Sequence, residues 1–168
     1  MTYEALARFK QANFMDCRIN AYPVYTQYDG INRQPPNFIF IDIDKSSFKT
    51  ERVYELAISQ TLHDFREKLP GAHPTVLNTG NGCHLYQPIQ AIVLEQEEIF
   101  AKLHRVPSKA FLIFAAQFIS DNKSDLMHNP SLKSCMIRIP GSINSKCGKQ
   151  VEIIQKWMGK TGNKLPAA

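Results

Sequence analysis

The run Phe38-Ile39-Phe40-Ile41-Asp42-Ile43-Asp44 constrains this chain more than any other segment. Unbroken apolar sequence leads into two aspartates separated by one residue. Side chains two apart on a β-strand share a face, so Asp42 and Asp44 are expected to project together, with Ile43 directed to the other side. Two carboxylates held side by side repel and raise each other's pKa unless a cation sits between them. Oxygen donors of this kind suit Mg²⁺ or Mn²⁺, which keep some water and bind substrate phosphates. The pattern points to metal-assisted phosphoryl or nucleotidyl chemistry. A solvated strand edge, a helix cap or a turn would use the same residues.

Two further segments keep this one company. Pro74-Thr75-Val76-Leu77-Asn78 reads as a strand and runs into Thr79-Gly80-Asn81-Gly82-Cys83-His84. Two glycines in this short stretch allow a tight turn where backbone approaches a ligand closely. His84 then opens a second apolar strand, where it could donate to a phosphate oxygen. The plain alternative is a hairpin with Asn81-Gly82 as a favourable turn pair. The third segment is Cys135-Met136-Ile137-Arg138-Ile139-Pro140-Gly141-Ser142-Ile143-Asn144-Ser145-Lys146. It predicts a short strand, a Pro-Gly turn and a polar, basic loop. Arg138 and Lys146 bring positive charge and Ser142 and Asn144 neutral donors, a set suited to phosphate contacts but also to an ordinary surface turn.

Patterning places these motifs on elements. A short helix is expected from Thr2 to about Asn13, and an edge strand from Arg18 to Tyr25 containing Pro23. The Phe38–Asp44 strand is apolar on both faces and is expected to be central. Thr50 is positioned to cap a helix reaching about Lys68, with Val53, Leu56, Leu62, Phe65 and Leu69 as its apolar stripe. Strands at Thr75–Asn78 and His84–Ile92 flank the glycine turn. Helices follow at Glu95–Leu103 and after Ser108, the latter burying Phe111, Phe114, Ala115, Phe118 and Ile119. Late strands are expected at Met136–Ile139 and Gln150–Trp157. The sum is one α/β (α+β) domain over residues 1–168, a mixed sheet flanked by helices.

Charge and cysteines set bounds. Lys and Arg number 20 against 15 Asp and Glu, a net +5, compatible with a polyanionic partner. The bias sharpens late in the chain, where Lys133, Arg138, Lys146, Lys149, Lys156, Lys160 and Lys164 face the single acid Glu152. Such a stretch suits a nucleic-acid groove. No run approaches the ~18 apolar residues of a membrane span. Met1-Thr2-Tyr3-Glu4 lacks a basic-then-apolar signal pattern. A cytoplasmic protein is expected. Cys17, Cys83, Cys135 and Cys147 form no C-x-x-C pair. A zinc site from His128, Cys135 and Cys147 is conceivable, but zinc ligands come in closer pairs, so zinc is not expected.

In this order the three segments resemble the archaeo-eukaryotic primase superfamily, especially the primase–polymerase domains of archaeal plasmid and phage replication proteins. That family carries an acidic D-x-D/E pair, a small-residue turn ending in histidine, a further metal-binding aspartate and often an R-x-P-G-S/T-x-N-x-K stretch. The corresponding residues here are Asp42-Ile43-Asp44, Thr79-Gly80-Asn81-Gly82-Cys83-His84 and Arg138 through Lys146. Asp121 and Asp125 both suit the third acid by position. Asp125 is preferred, because Asp121 falls where a helix should end. Many relatives carry serine where this chain has Gly82.

The resemblance implies an RRM-like catalytic core with a small N-terminal unit. It implies two divalent ions, Mg²⁺ or Mn²⁺, held by Asp42, Asp44 and Asp125, with His84 at the incoming triphosphate. Gly80, Asn81, Gly82, Arg138, Ser142, Asn144 and Lys146 would complete the nucleotide site. Partners would be a single-stranded DNA template, a primer, dNTPs or rNTPs, and a helicase or other replication protein. Tyr28 and Tyr86 are candidates for base stacking, or simply for packing. Two other classes stay open. One is a metal-dependent glycosyltransferase using D-x-D, and the other a nucleic-acid-binding module without turnover.

Overall fold

A computed structural model of the chain describes residues 3–22, 24–27, 30–33, 36–90, 107–128, 130 and 135–158. The expected Glu95–Leu103 helix, Tyr28, His104, Lys133, Lys160 and Lys164 lie outside them. The described elements in chain order are α1 (Tyr3–Gln11), β1 (Arg18–Asn20), β2 (Val24–Gln27), β3 (Gly30–Arg33), β4 (Phe38–Asp44), α2 (Glu51–Lys68), β5 (Thr75–Asn78), β6 (Gly82–Pro88), α3 (Pro107–Ser120), β7 (Met136–Arg138), β8 (Ile143–Asn144), β9 (Lys149–Gln150) and β10 (Glu152–Gln155).

This is an α+β arrangement. Its main sheet has the order β10-β5-β6-β4, with β1–β7, β2–β3 and β8–β9 as separate two-stranded ribbons. The expected mixed sheet is corrected, because every described ladder is antiparallel. Short turns explain β2–β3, β5–β6 and β8–β9, whereas β4 and β5, joined through α2, run in the same direction and are kept from pairing by β6, which lies between them antiparallel to both. The parallel pairing found is the isolated bridge Met15–Ile143.

β4 is the outer strand of this sheet and not a central one. Its apolar character on both faces has another source. Ile39, Ile41 and Ile43 point into the core shared with α2 and α3, while Phe40 packs with Tyr22, Leu112 and Cys135. Its outward backbone edge is covered as well. The Tyr22 hydroxyl donates to the Phe38 carbonyl at 3.0 Å, and the Asp125 amide donates to the Asp42 carbonyl at 2.7 Å.

The helices start where their caps place them. Thr50 accepts from the Val53 amide at 3.3 Å to open α2, and Glu51 near the start with Arg66 and Lys68 near the end complements the helix dipole. The buried face of α2, however, is Tyr54, Ala57, Thr61 and Phe65. Val53 and Leu56, assigned to the stripe by apolarity, are exposed. Thr61 can be buried because its hydroxyl donates to the Ala57 carbonyl, 2.8 Å away, inside the helix. α3 is corrected in the same way. Leu112, Ala115, Ala116 and Ile119 are buried, whereas Phe114 and Phe118 stack on each other at 5.5 Å, exposed. Ser108 lies within the first turn of α3 and not before it.

Strand bounds also shift. Arg18–Tyr25 divides between β1 and β2, because the Asn20 side chain bonds the Tyr22 carbonyl and the Cys135 amide and turns the chain. β6 ends at Pro88, which has no N–H for a ladder. Gln150–Trp157 divides into β9 and β10, the latter with a register irregularity between Ile153 and Gln155.

The corrected α3 face gives a direct expectation. Leu112→Ala, at a side chain 2% exposed, should lower unfolding free energy by about 2–5 kcal/mol. Phe114→Ala, at 62% exposure, should cost less than about 1 kcal/mol. Urea denaturation of the two variants checks this.

Candidate functional site

The sheet has one face under α2 and α3. Asp42 and Asp44 project from the other, opposite His84 and Gly82 in the β4–β6 register. Strand alternation brings both carboxylates to one cleft of about 210 Å³. Asp125 joins them there, carried to the β4 edge by the hydrogen bond its backbone N–H donates to the Asp42 carbonyl. Asp121 does not line the cleft. It ends α3 in a left-handed conformation (φ 50°) and pairs with Lys123 at 3.3 Å. Asp44 has a second task, accepting from the Ser46 amide at 2.8 Å to cap a 3-10 turn, so the metal-facing and capping readings of the D-x-D pair are compatible.

Asp42 carries the strain of this crowding. Burial, then the charges of Asp125 and Asp44, push its carboxyl up to about 7, with Arg138 and Arg18 pulling the other way. His84 is pushed down to about 3, first by burial and then by Arg138, His128 and Arg18, so its ring is neutral. His84 Nε2 lies 3.5 Å from Asp42 Oδ1 and Nδ1 lies 2.9 Å from the Tyr86 hydroxyl. Nε2–H facing the carboxylate leaves Nδ1 to accept from Tyr86, whose hydroxyl is held protonated by burial and the Asp42 charge. Phe40 supports the ring edge-on at 5.1 Å and stacks on Tyr86. Tyr86 is thus a packing and hydrogen-bonding residue under the site.

The glycine turn is built for closeness. The Thr79 amide and hydroxyl both donate to the Gly82 carbonyl at 3.0 Å, and the Lys45 amide donates to the Asn81 carbonyl. A Cβ at Gly82 would sit 2.6 Å from the Ile43 carbonyl, which excludes the serine many primase-like chains carry there. Asn81 and Gly82 line the cleft. Gly80 (φ +79°) instead packs behind it against Cys147 and Lys149.

Arg138 is buried and braced. It donates to Asp16 Oδ1 at 2.9 Å and to Asn144 Oδ1 at 3.0 Å. Asn144 in turn donates to the Thr79 carbonyl at 2.8 Å. The Asp16 carboxyl is held down at about 2 by the Ser145 hydroxyl and then Arg138. Arg138, Asn144 and Lys146 line the cleft. Ser142 does not: it is buried, and its hydroxyl donates to the Ile139 carbonyl at 2.6 Å.

Sequence reasoning missed Asp16 and Arg18, and placed His128 only in a zinc context. Arg18 stands opposite Arg138 in the β1–β7 register and lines the cleft. A contact such as Asp16–Arg138, 122 positions apart, leaves no local signal. Cys135 lies 3.9 Å from His128, while Cys147 is exposed at the glycine turn.

Among the described residues no group of three or more His, Cys, Asp or Glu is converged as a ready-made metal cage. Mg²⁺ and Mn²⁺ do not require one, being held by one or two carboxylates together with substrate phosphates. The donor set therefore fits a hard divalent ion. No described helix is long and apolar enough to cross a membrane. Comparison with protein-family models, with curated proteins and with solved structures gave no match.

The site makes stability depend on pH. Folded Asp42 holds its proton to about pH 7, whereas an ordinary carboxyl releases it near 3.8. The folded state therefore binds more protons across that window, and stability falls as pH rises through it. Asp42→Asn removes this cost. It should stabilise the cation-free protein by up to about 4 kcal/mol near pH 8, and by less than about 1 kcal/mol near pH 4. Thermal melts across that range in chelator check the sign.

Proposed function

We propose that this chain is a metal-dependent nucleotidyltransferase that makes or extends primers on single-stranded DNA, a primase–polymerase domain of the archaeo-eukaryotic primase type. The observation that carries this reading is the meeting of Asp42, Asp44 and Asp125 with Arg18, Arg138 and Lys146 around one cleft. Three carboxylates opposed by three cations suit a cation–triphosphate complex, in which phosphate charge and metal charge must both be balanced. The order of the motifs along the chain adds support through the primase resemblance.

Asp42, Asp44 and Asp125 would hold the divalent ions. Those ions, when bound, would stabilise the attacking 3′-oxygen and the departing pyrophosphate. Neutral His84 faces Asp42 with its Nε2 3.5 Å away and adds no charge. Lys146 and Arg18 would meet the triphosphate. Arg138, paired with Asp16 and held by Asn144, would offer a fixed guanidinium to the phosphates more than net charge. Asn81 and Gly82 supply the close wall. Lys149 and Lys156 are exposed, basic side chains of the kind a template strand would meet.

Primer-extension and unprimed assays on single-stranded DNA, with Mg²⁺ or Mn²⁺ and with dNTPs or rNTPs, test the proposal. Wild type should give metal-dependent product, and Asp42→Ala/Asp44→Ala should reduce it at least about 100-fold. Product from unprimed template would specify priming. Equal product from the double variant, or none from folded wild type under any combination, would overturn the proposal. Retained binding of metal and nucleotide in the second case would favour a binding module.

A further inference from the structure

His128 shares a tight turn with Asp125. The His128 amide donates to the Asp125 carbonyl at 3.1 Å, and the Asp125 carboxylate accepts from the Met127 amide at 2.9 Å. The four residues Asp125-Leu126-Met127-His128 are sorted against their hydrophobicity. Leu126 and Met127 stand 72% and 87% exposed, while Asp125 and His128 turn inward and line the cleft. A turn folding for burial alone would do the reverse. His128 stands edge-on to Phe40 at 4.8 Å, so its ring plane is fixed. Its Nδ1 lies 4.0 Å from Asp42 Oδ2, the oxygen that does not face His84. Its Nε2 lies 3.9 Å from Cys135 Sγ.

We infer that His128 is a further cation-facing residue of this cleft, supplying a nitrogen donor beside Asp42 and biasing the site towards Mn²⁺ over Mg²⁺. The inference rests on the metal-dependent reading above and goes beyond its three carboxylates. Two ligands of one ion, each bonded at about 2.1 Å, stand about 3–4 Å apart over the usual range of angles. The Asp42–His128 separation falls at the outer end of that range. The two histidines differ in what their far nitrogens do. The His84 Nδ1 is taken by the Tyr86 hydroxyl, which keeps Nε2–H directed at Asp42. The His128 Nε2–H can face the Cys135 sulfur, leaving the Nδ1 lone pair directed at the acids. Metal-bound histidines give their far N–H to an outer acceptor, usually a carboxylate, carbonyl or water; the acceptor here would be the weaker thiol sulfur. Imidazole nitrogen is a favourable donor for transition metals, whereas Mg²⁺ demands oxygen in near-ideal octahedral geometry.

Pulsed EPR of Mn²⁺ bound to the protein with inorganic triphosphate reads the nitrogen directly, because that anion contains none. Wild type and His84→Gln should show ¹⁴N modulation, and His128→Gln should lose it. His128→Gln should also weaken Mn²⁺ about tenfold while changing Mg²⁺ affinity less than about threefold. Should His128→Gln fail to melt cooperatively, ¹⁵N-histidine labelling of His84→Gln provides the same readout: the modulation must switch isotope. Bound Mn²⁺ without nitrogen modulation, modulation lost in His84→Gln, or modulation unchanged in His128→Gln would overturn the inference and leave the carboxylate site standing. Folded wild type that binds no Mn²⁺, with or without triphosphate, would overturn both.

Discussion

Burying a carboxylate at the end of a strand is costly unless something offsets its charge, and Asp42 is where this protein meets that constraint. Desolvation and two neighbouring acids favour its protonated form, while Arg138 and Arg18 favour the charged one. The side chains around it follow from that contest. A neutral histidine faces each oxygen, His84 at 3.5 Å and His128 at 4.0 Å. An aromatic layer, Phe40 stacked on Tyr86, supports both rings from below. The amide of Asp125 closes the strand edge at the Asp42 carbonyl and in doing so delivers the third acid. A divalent cation placed among these acids would favour the charged form of Asp42.

The positive side is held by a second network with a different character. Arg138 spans Asp16 and Asn144, and Asn144 reaches the Thr79 carbonyl in the glycine turn. One chain of hydrogen bonds thereby ties the end of the N-terminal segment, the β7–β8 loop and the turn before His84. Its charge is paired, so it contributes position more than net attraction. Lys146, in the β8–β9 turn, supplies the charge at the cleft wall. Fixed donors of this kind need no rearrangement when negative charge develops, which is the requirement for electrostatic stabilisation of a transition state.

Much of this was legible in the chain. The Phe38–Asp44 strand, the Thr50 cap and the strand at Thr75–Asn78 announce themselves through period, capping chemistry and punctuation, all of which are local. That the acidic pair, the glycine turn and the arginine stretch would meet at one cleft was implied by the family resemblance and by no local pattern. What failed was non-local or concealed. Two helix faces were misjudged because Thr61, buried with its hydroxyl satisfied inside α2, behaves as an apolar residue, while Phe114 and Phe118 cover each other at the surface. The edge position of β4 depends on which strand pairs with which. Ser142 reads as a ligand donor by type but spends its proton on Ile139. Asp16 reads as nothing until it meets Arg138.

Diffraction from crystals containing Mn²⁺ and a non-hydrolysable nucleoside triphosphate, recorded for manganese anomalous scattering, tests the central claim most directly. Manganese peaks within about 2.2 Å of Asp42 and of Asp44 or Asp125, with the triphosphate between them and Lys146, are the predicted result. A nucleotide bound elsewhere, or manganese peaks that avoid these carboxylates while the cleft is accessible in the lattice, would contradict it.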